Sequence, residues 1–252
     1  CRPPGQGGVV VIGLIGAGAF GRNHVKVGCR LGLLTHMADL SAEIRVQVQT
    51  DYPEIRVSEN MTELLADPAI RGIIVATPAS AHYGIARAVL NAGKDVLVEK
   101  PMTLDAGEAK ELAELAKKKQ RILMVGHLLF YKPAFAVMQQ ELLSGRIGKI
   151  HHIEMRRLKL GKVRQEENVL WSFAPHDIAV LLGLVSSEVA KISAGGNCYL
   201  QANVEDSVRL DLRFASGVTA SIHASWLWPE DERKTLVIGD RGMLVYNENQ
   251  DN

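Results

Sequence analysis

The sequence predicts an α/β protein. An N-terminal doubly wound parallel sheet occupies residues 1–126, and an α+β domain built on a mostly antiparallel sheet occupies residues 127–252. Three observations predict it. Apolar, β-branched runs alternate with helical patterns through the first half; a glycine-rich turn joins the first such run to the first helix; and past about Gly126 the alternation gives way to strand after strand.

In order, "VVVIGLIG" (9–16) is a continuous apolar run, the mark of a strand buried on both faces. A helix follows from about Gly21 to Leu31, then a short strand "LLTHMAD" (33–39). "TELLADP" is a short helix closed by proline, "GIIVATP" (72–78) a buried strand, and "SAHYGIARAVLNAG" a helix ended by Gly93. "DVLVEKP" is the next strand, "TLDAGEAKELAELAKKK" the next helix and "RILMVG" (121–126) a further strand. This βαβα rhythm requires a parallel sheet with right-handed crossovers.

The second half starts with a helix over about 133–144, the strand "KIHHIEMRRLKL" and a helical patch near 175–184. "EVAKISAGGNCYL", "DSVRLDLRFASG", "VTASIHASWLW", "RKTLVIGDRG" and "MLVYN" then alternate between glycine-containing turns, which predicts an antiparallel meander with one face solvated or covered by a partner.

Composition narrows the function. The formal net charge of +1 on 252 residues gives no electrostatic reason for nucleic acid or an anionic membrane as partner. The basic run "KKKQR" (117–121) complements the end of a helix dipole. Cys1, Cys29 and Cys198 lie too far apart for a zinc knuckle or CxxC pair, so a cytoplasmic setting is expected. His151 and His152 sit on a strand with no third ligand at metal spacing, and no metal is expected. The apolar start after Arg2 imitates a signal peptide, but the glycine-rich motif requires those residues to be retained. The chain begins without Met and reads as a piece of a longer protein.

Gly16-Ala17-Gly18-Ala19-Phe20-Gly21 is a GxGxxG between strand and helix. The first glycine permits the turn, the second lets the backbone approach a pyrophosphate, and the third allows close helix–strand packing. The helix N-terminus offers unpaired N–H groups to the phosphates. This is the pattern of a Rossmann-type dinucleotide site. Asp39 follows Gly21 by about 18 residues, where a carboxylate accepts the adenosine ribose hydroxyls and repels a 2′-phosphate. NAD is therefore expected over NADP; the other role open to Asp39 is a helix N-cap. Thr77-Pro78 ends a strand at the same sheet edge. So does Glu99-Lys100-Pro101, where Lys100 is either a chemical group or a solvated strand-end charge.

Together, "GLIGAGAFGRNH", "VATPASAHYGIARAVLNAGKDVLVEKP" and "GHLLFYKPAF" resemble the Gfo/Idh/MocA family of nicotinamide-dependent oxidoreductases, over about Val9 to Val245. The resemblance implies that Lys100 projects toward the nicotinamide and the reacting hydroxyl, often beside a cis Lys–Pro peptide. It places Thr77, Pro78, His82 and Glu99 on the cofactor side with it. An ammonium at hydrogen-bond distance stabilises a developing alkoxide, and burial beside a cationic ring favours a neutral amine base.

The family's Asp-x-Gly-x-His pattern falls on "NVLWSFAPHDIAVLL" (168–182). His176 then stands in the acid/base position, while Ser172 and Ala174 replace the aspartate and glycine. No carboxylate four residues earlier orients the imidazole. Within the family the chain looks most like the UDP-N-acetylglucosamine or UDP-N-acetylglucosaminuronate 3-dehydrogenases. That likeness makes His127, Tyr131, Lys132, Arg157, Asn168 and Ser172 substrate-side candidates alongside Lys100 and His176, the basic ones suiting a diphosphate.

The resulting expectation is NAD-dependent oxidation of a secondary hydroxyl, at C3, on a UDP-linked N-acetyl amino sugar. The rivals are the same chemistry on a free sugar, inositol or other polyol, and an NAD-bound sensor without turnover. The resemblance also implies a homo-oligomer, dimer or tetramer, joined through the outer face of the C-terminal sheet, and further segments beyond "GMLVYNENQDN".

Overall fold

The apolar run near the N-terminus forms strand β1 (Val11–Ile15) inside a six-stranded sheet. The computed structural model describes residues 10–165 and 167–250, so Cys1, Arg2 and Val9 lie outside the described residues. The chain divides between Gly126 and His127 into two compact units.

The first unit runs α1 (Gly21–Arg30), β2 (Leu34–Ala38), α2 (Ala42–Asp51), β3 (Arg56–Ser58), α3 (Thr62–Ala66), β4 (Ile70–Val75), α4 (Ala79–Asn91), β5 (Asp95–Val98), α5 (Ala106–Lys119) and β6 (Leu123–Val125). Its strand order is β3-β2-β1-β4-β5-β6, every neighbouring pair parallel. The order reverses beside β1, and that reversal opens a crevice at the carboxyl ends of the strands.

Successive side chains of β1 point to opposite faces. Leu14 packs with Val25, Met37 and Ile55 on one side, and Ile15 packs with Ile73, Leu90 and Leu112 on the other. Each such burial stabilises the sheet by about 1.5–3 kcal/mol. The helix α2 and strand β3 were not anticipated from the sequence. In α2 only Val48 is buried, so the segment carries little apolar periodicity, and its start is set by Ser41, whose side chain accepts from the Ile44 N–H.

The second unit contains α6 (Pro133–Leu143), β7 (Ile150–Leu158), α7 (Val169–Leu184), β8 (Val189–Asn197), β9 (Ser207–Phe214), β10 (Thr219–Ser225), β11 (Glu232–Gly239) and β12 (Met243–Asn247). The sheet is mixed and mostly antiparallel, in the order β12-β11-β7-β10-β9-β8. It is not the simple meander expected. β7 lies between β10 and β11 and runs parallel to β10, so the β10–β11 connection crosses it. Ile153 and Met155 of β7, Ile222 of β10 and Leu181 of α7 share the core, while Arg209, Asp211 and Arg213 of β9 face away from it.

A second correction concerns α7. It begins at Val169, not near 175, and Pro175 lies inside it. The proline leaves the Trp171 carbonyl without its usual N–H partner, a break that reads locally as a helix start. Among the described residues no helix is long and apolar enough to cross a membrane.

Candidate functional site

The expected cofactor residues of the first unit collect at the carboxyl ends of its parallel strands. Gly16 has φ +86°, and a Cβ there would lie 2.8 Å from Thr77 Cγ2, so both conformation and space demand glycine. At Gly21 a Cβ would lie 2.2 Å from the Gly16 carbonyl oxygen, which is the close helix–strand approach expected of the third glycine. At Gly18 a Cβ would meet nothing within 4 Å. Ala17 is buried, while Ala19 and Phe20 are exposed beyond it. The loop thus presents an open cradle in front of the first turn of α1.

Asp39 follows β2 and is tied to this loop. Its Oδ2 accepts the Ala17 N–H at 2.8 Å, and its Oδ1 accepts the Ser41 N–H at 2.9 Å. Asp39 is not the cap of α2; Ser41 is. Each carboxylate oxygen keeps further lone-pair capacity, and the side chain is only partly buried. Across the sheet, the Thr77 hydroxyl is buried without a hydrogen-bond partner among the described residues. An open cradle, a carboxylate with spare acceptor capacity and an orphaned hydroxyl at one strand edge fit a dinucleotide.

Lys100 stands two residues beyond β5, half-buried, and the Lys100–Pro101 peptide is cis. Glu99 and His82, also expected on the cofactor side, have partners within the fold. Glu99 is 8% exposed, with Oε1 at 2.7 Å from His24 Nε2. His82 is 1% exposed, with Nδ1 2.7 Å from the Pro101 carbonyl and Nε2 2.9 Å from the Thr77 carbonyl. Both partners only accept, so the neutral ring satisfies one at a time and the doubly protonated ring both. Pro78 is exposed at the start of α4. His24, which the sequence did not single out, lies three residues after Gly21 in "GRNH", one turn into α1.

In the second unit several residues expected to meet substrate have partners within the fold. Arg157 forms a bidentate pair with Asp177 (2.8 and 2.9 Å) and also donates to Glu248 at 2.7 Å. Its side chain is 11% exposed, and those of Asp177 and Glu248 are 4% and 10% exposed. Burial opposes the Arg157 charge, but the two carboxylates outweigh it and raise its pKa; burial pushes the Asp177 carboxyl up against the pull of Arg157. Three of the five guanidinium N–H donors are therefore taken by carboxylates of the fold.

Lys132 lies 3.6 Å from Glu248 and 3.4 Å from the Tyr246 hydroxyl. Asn168 caps α7, accepting from the Trp171 N–H and donating to Glu205 at 2.7 Å. Tyr131 is 72% exposed and packs in no core. His127 is partly buried ahead of a short 3₁₀ turn and lies edge-on to Phe130. His176 is in the second turn of α7, beside Asp177, and Ser172 is buried one turn before it.

Comparison with known proteins follows the same division. An oxidoreductase family with an NAD-binding Rossmann fold matches residues 10–127, and the Gfo/Idh/MocA C-terminal domain matches residues 135–245. The UDP-N-acetylglucosamine 3-dehydrogenase of Acidithiobacillus ferrooxidans is 27% identical over 226 residues, covering 89% of this chain and 70% of that protein. The inositol 2-dehydrogenase of Acidothermus cellulolyticus is 27% identical over 228 residues, covering 86% of this chain and 66% of that protein. Among solved structures, GenD2 from gentamicin A biosynthesis in complex with NAD superposes with a TM-score of 0.89 at 24% identity, over 98% of this chain and 75% of that one.

Proposed function

Because the chain belongs to the Gfo/Idh/MocA oxidoreductase family, we propose that it oxidises a secondary hydroxyl, at C3, of a UDP-linked N-acetyl amino sugar to a ketone with NAD. The observation that carries the dehydrogenase reading is the strand edge of the first unit, where the Gly18 cradle, the Asp39 carboxylate and the turn carrying Lys100 lie together. A bound NAD would supply the acceptor for the hydride of the carbinol carbon. The chain supplies the rest. The α1 N-terminus and loop amides hold the phosphates, and Asp39 accepts the ribose hydroxyls and disfavours a 2′-phosphate. Lys100 moves the hydroxyl proton and stabilises the charge developing on oxygen. His176 is assigned the second acid/base role through the family pattern. The amino-sugar assignment draws on the likeness to the 3-dehydrogenase of Acidithiobacillus ferrooxidans.

A specific observation favours a second reading, a free sugar or polyol such as inositol. Arg157 and Lys132, the basic groups suited to a diphosphate, lie against Asp177 and Glu248. An uncharged polyol needs neither. The test is a screen of UDP-sugars against free sugars and inositols, following NADH absorbance. Reduction of NAD with the amino-sugar nucleotide alone supports the first reading, and reduction with polyols alone supports the second. NAD binding with no turnover on either class overturns the dehydrogenase and leaves a cofactor-bound sensor.

A further inference from the structure

The turn that carries Lys100 is gripped on both sides. Upstream, the Lys100 N–H donates to Glu99 Oε2 at 3.3 Å, and the other oxygen of that carboxylate lies 2.7 Å from His24 Nε2 on α1. Downstream, the Pro101 carbonyl lies 2.7 Å from His82 Nδ1 on α4. The two helices therefore reach the two ends of one dipeptide through two imidazoles.

Glu99 is seated closely. A Cβ on Gly126 would come within 2.8 Å of Oε2 and 3.0 Å of Oε1, so the carboxylate lies directly over that backbone. A carboxylate so enclosed requires a partner, and the His24 ring supplies the N–H. Phe20 of the glycine-rich loop meets that ring edge-on at 5.7 Å between centroids. The long, rotatable lysine stem transmits any looseness of its backbone to the ammonium, and a misplacement of about 1 Å costs on the order of 10²-fold in rate. Fixing both ends of the Lys100–Pro101 dipeptide removes that looseness at its source.

We propose that His24 and His82 are positioning residues for Lys100, His24 acting through Glu99 and His82 through the Pro101 carbonyl. The inference rests on the reading of Lys100 as the acid/base group. The ring atoms dictate the rescuing substitutions. A glutamine amide imitates Nε2, so His24→Gln keeps a donor for Glu99 where His24→Leu does not. An asparagine amide imitates Nδ1, so His82→Asn keeps the Pro101 contact and gives up the one to Thr77.

The experiment measures exchange of the Lys100 amide proton in the whole chain, alongside kcat, KM and melting temperature with the substrate found by the screen. His24→Leu is expected to speed Lys100 amide exchange by about tenfold, the worth of one hydrogen bond at the strong end. It is also expected to lower kcat by about 10–100-fold with KM for NAD unchanged. His24→Gln should restore both quantities. His82→Leu should lower kcat in the same way, and His82→Asn should restore it.

Should His24→Leu not fold, Glu99→Gln replaces it, with the same faster exchange expected. Unchanged Lys100 exchange in a folded His24→Leu or Glu99→Gln protein overturns the proposal. So does a fall in melting temperature with kcat per folded molecule unchanged. A wild-type protein inert toward every substrate sinks the dehydrogenase reading instead, and the exchange measurement still decides whether the turn is braced.

Discussion

The Ala17 N–H donates to Asp39 Oδ2 across 2.8 Å, joining the glycine-rich turn to the end of the neighbouring strand. One carboxylate therefore shapes the loop and faces the expected ribose position. Asp39→Asn keeps an acceptor for one of its two backbone donors and loses the charge. NAD affinity should fall by about 1.5–3 kcal/mol, the worth of a hydrogen bond to a charged group, and discrimination against NADP should relax. Calorimetric titration with both dinucleotides checks this, and unchanged affinities would leave Asp39 with the loop alone.

The two glycines of the turn should separate under alanine substitution. Gly18→Ala meets open space, so folding stability should stay within about 0.5 kcal/mol of wild type while NAD binding weakens as the cradle fills. Gly16→Ala forces a side chain into φ +86° and against Thr77, which should cost about 1–3 kcal/mol. Melting curves with and without NAD distinguish them.

Lys100→Met keeps the length of the stem and removes the ammonium. Turnover should drop by about 10²–10⁴, the usual contribution of a positioned acid/base group, with NAD affinity and melting temperature preserved. Single-turnover NADH formation at saturating cofactor is the measurement; a rate near wild type would return Lys100 to an ordinary strand-end charge.

Arg157 offers a direct contest between a structural and a substrate role. Arg157→Met strands the buried Asp177 carboxylate, which should cost about 3–5 kcal/mol of stability by urea denaturation. A substrate contact would instead raise KM and leave the denaturation midpoint in place.

Acid should loosen the first unit through His36. Its Nε2 lies 3.0 Å from Ser58 Oγ, which itself donates to the Asn60 carbonyl, and its Nδ1 is buried without a partner among the described residues. Burial pushes the imidazole below its ordinary value of 6.5, with Arg56 adding to the effect. A histidine with a lowered folded pKa takes up its proton more readily when unfolded. The stability from its neutral form is therefore complete above the ordinary value and is lost as pH falls through the lower folded value. Melting temperature should decline more steeply on acidification in the wild type than in His36→Gln.

Much of this protein was legible in one dimension. Two-sided burial demands continuous apolar runs, so β1, β4 and β5 announced a parallel sheet, and GxGxxG between strand and helix announced a dinucleotide turn. α2 went unread because it buries a single residue, and the start of α7 because Pro175 imitates a helix boundary. Which polar side chains are spent on the fold itself was decided only in three dimensions. Arg157 and Asp177 lie 20 residues apart, Arg157 and Glu248 lie 91 apart, and His24 and Glu99 lie 75 apart. A lone arginine or histidine in a sequence looks equally ready for a ligand or for an internal carboxylate. Long-range packing chooses between them, because a charge removed from water must take whatever partner the fold delivers.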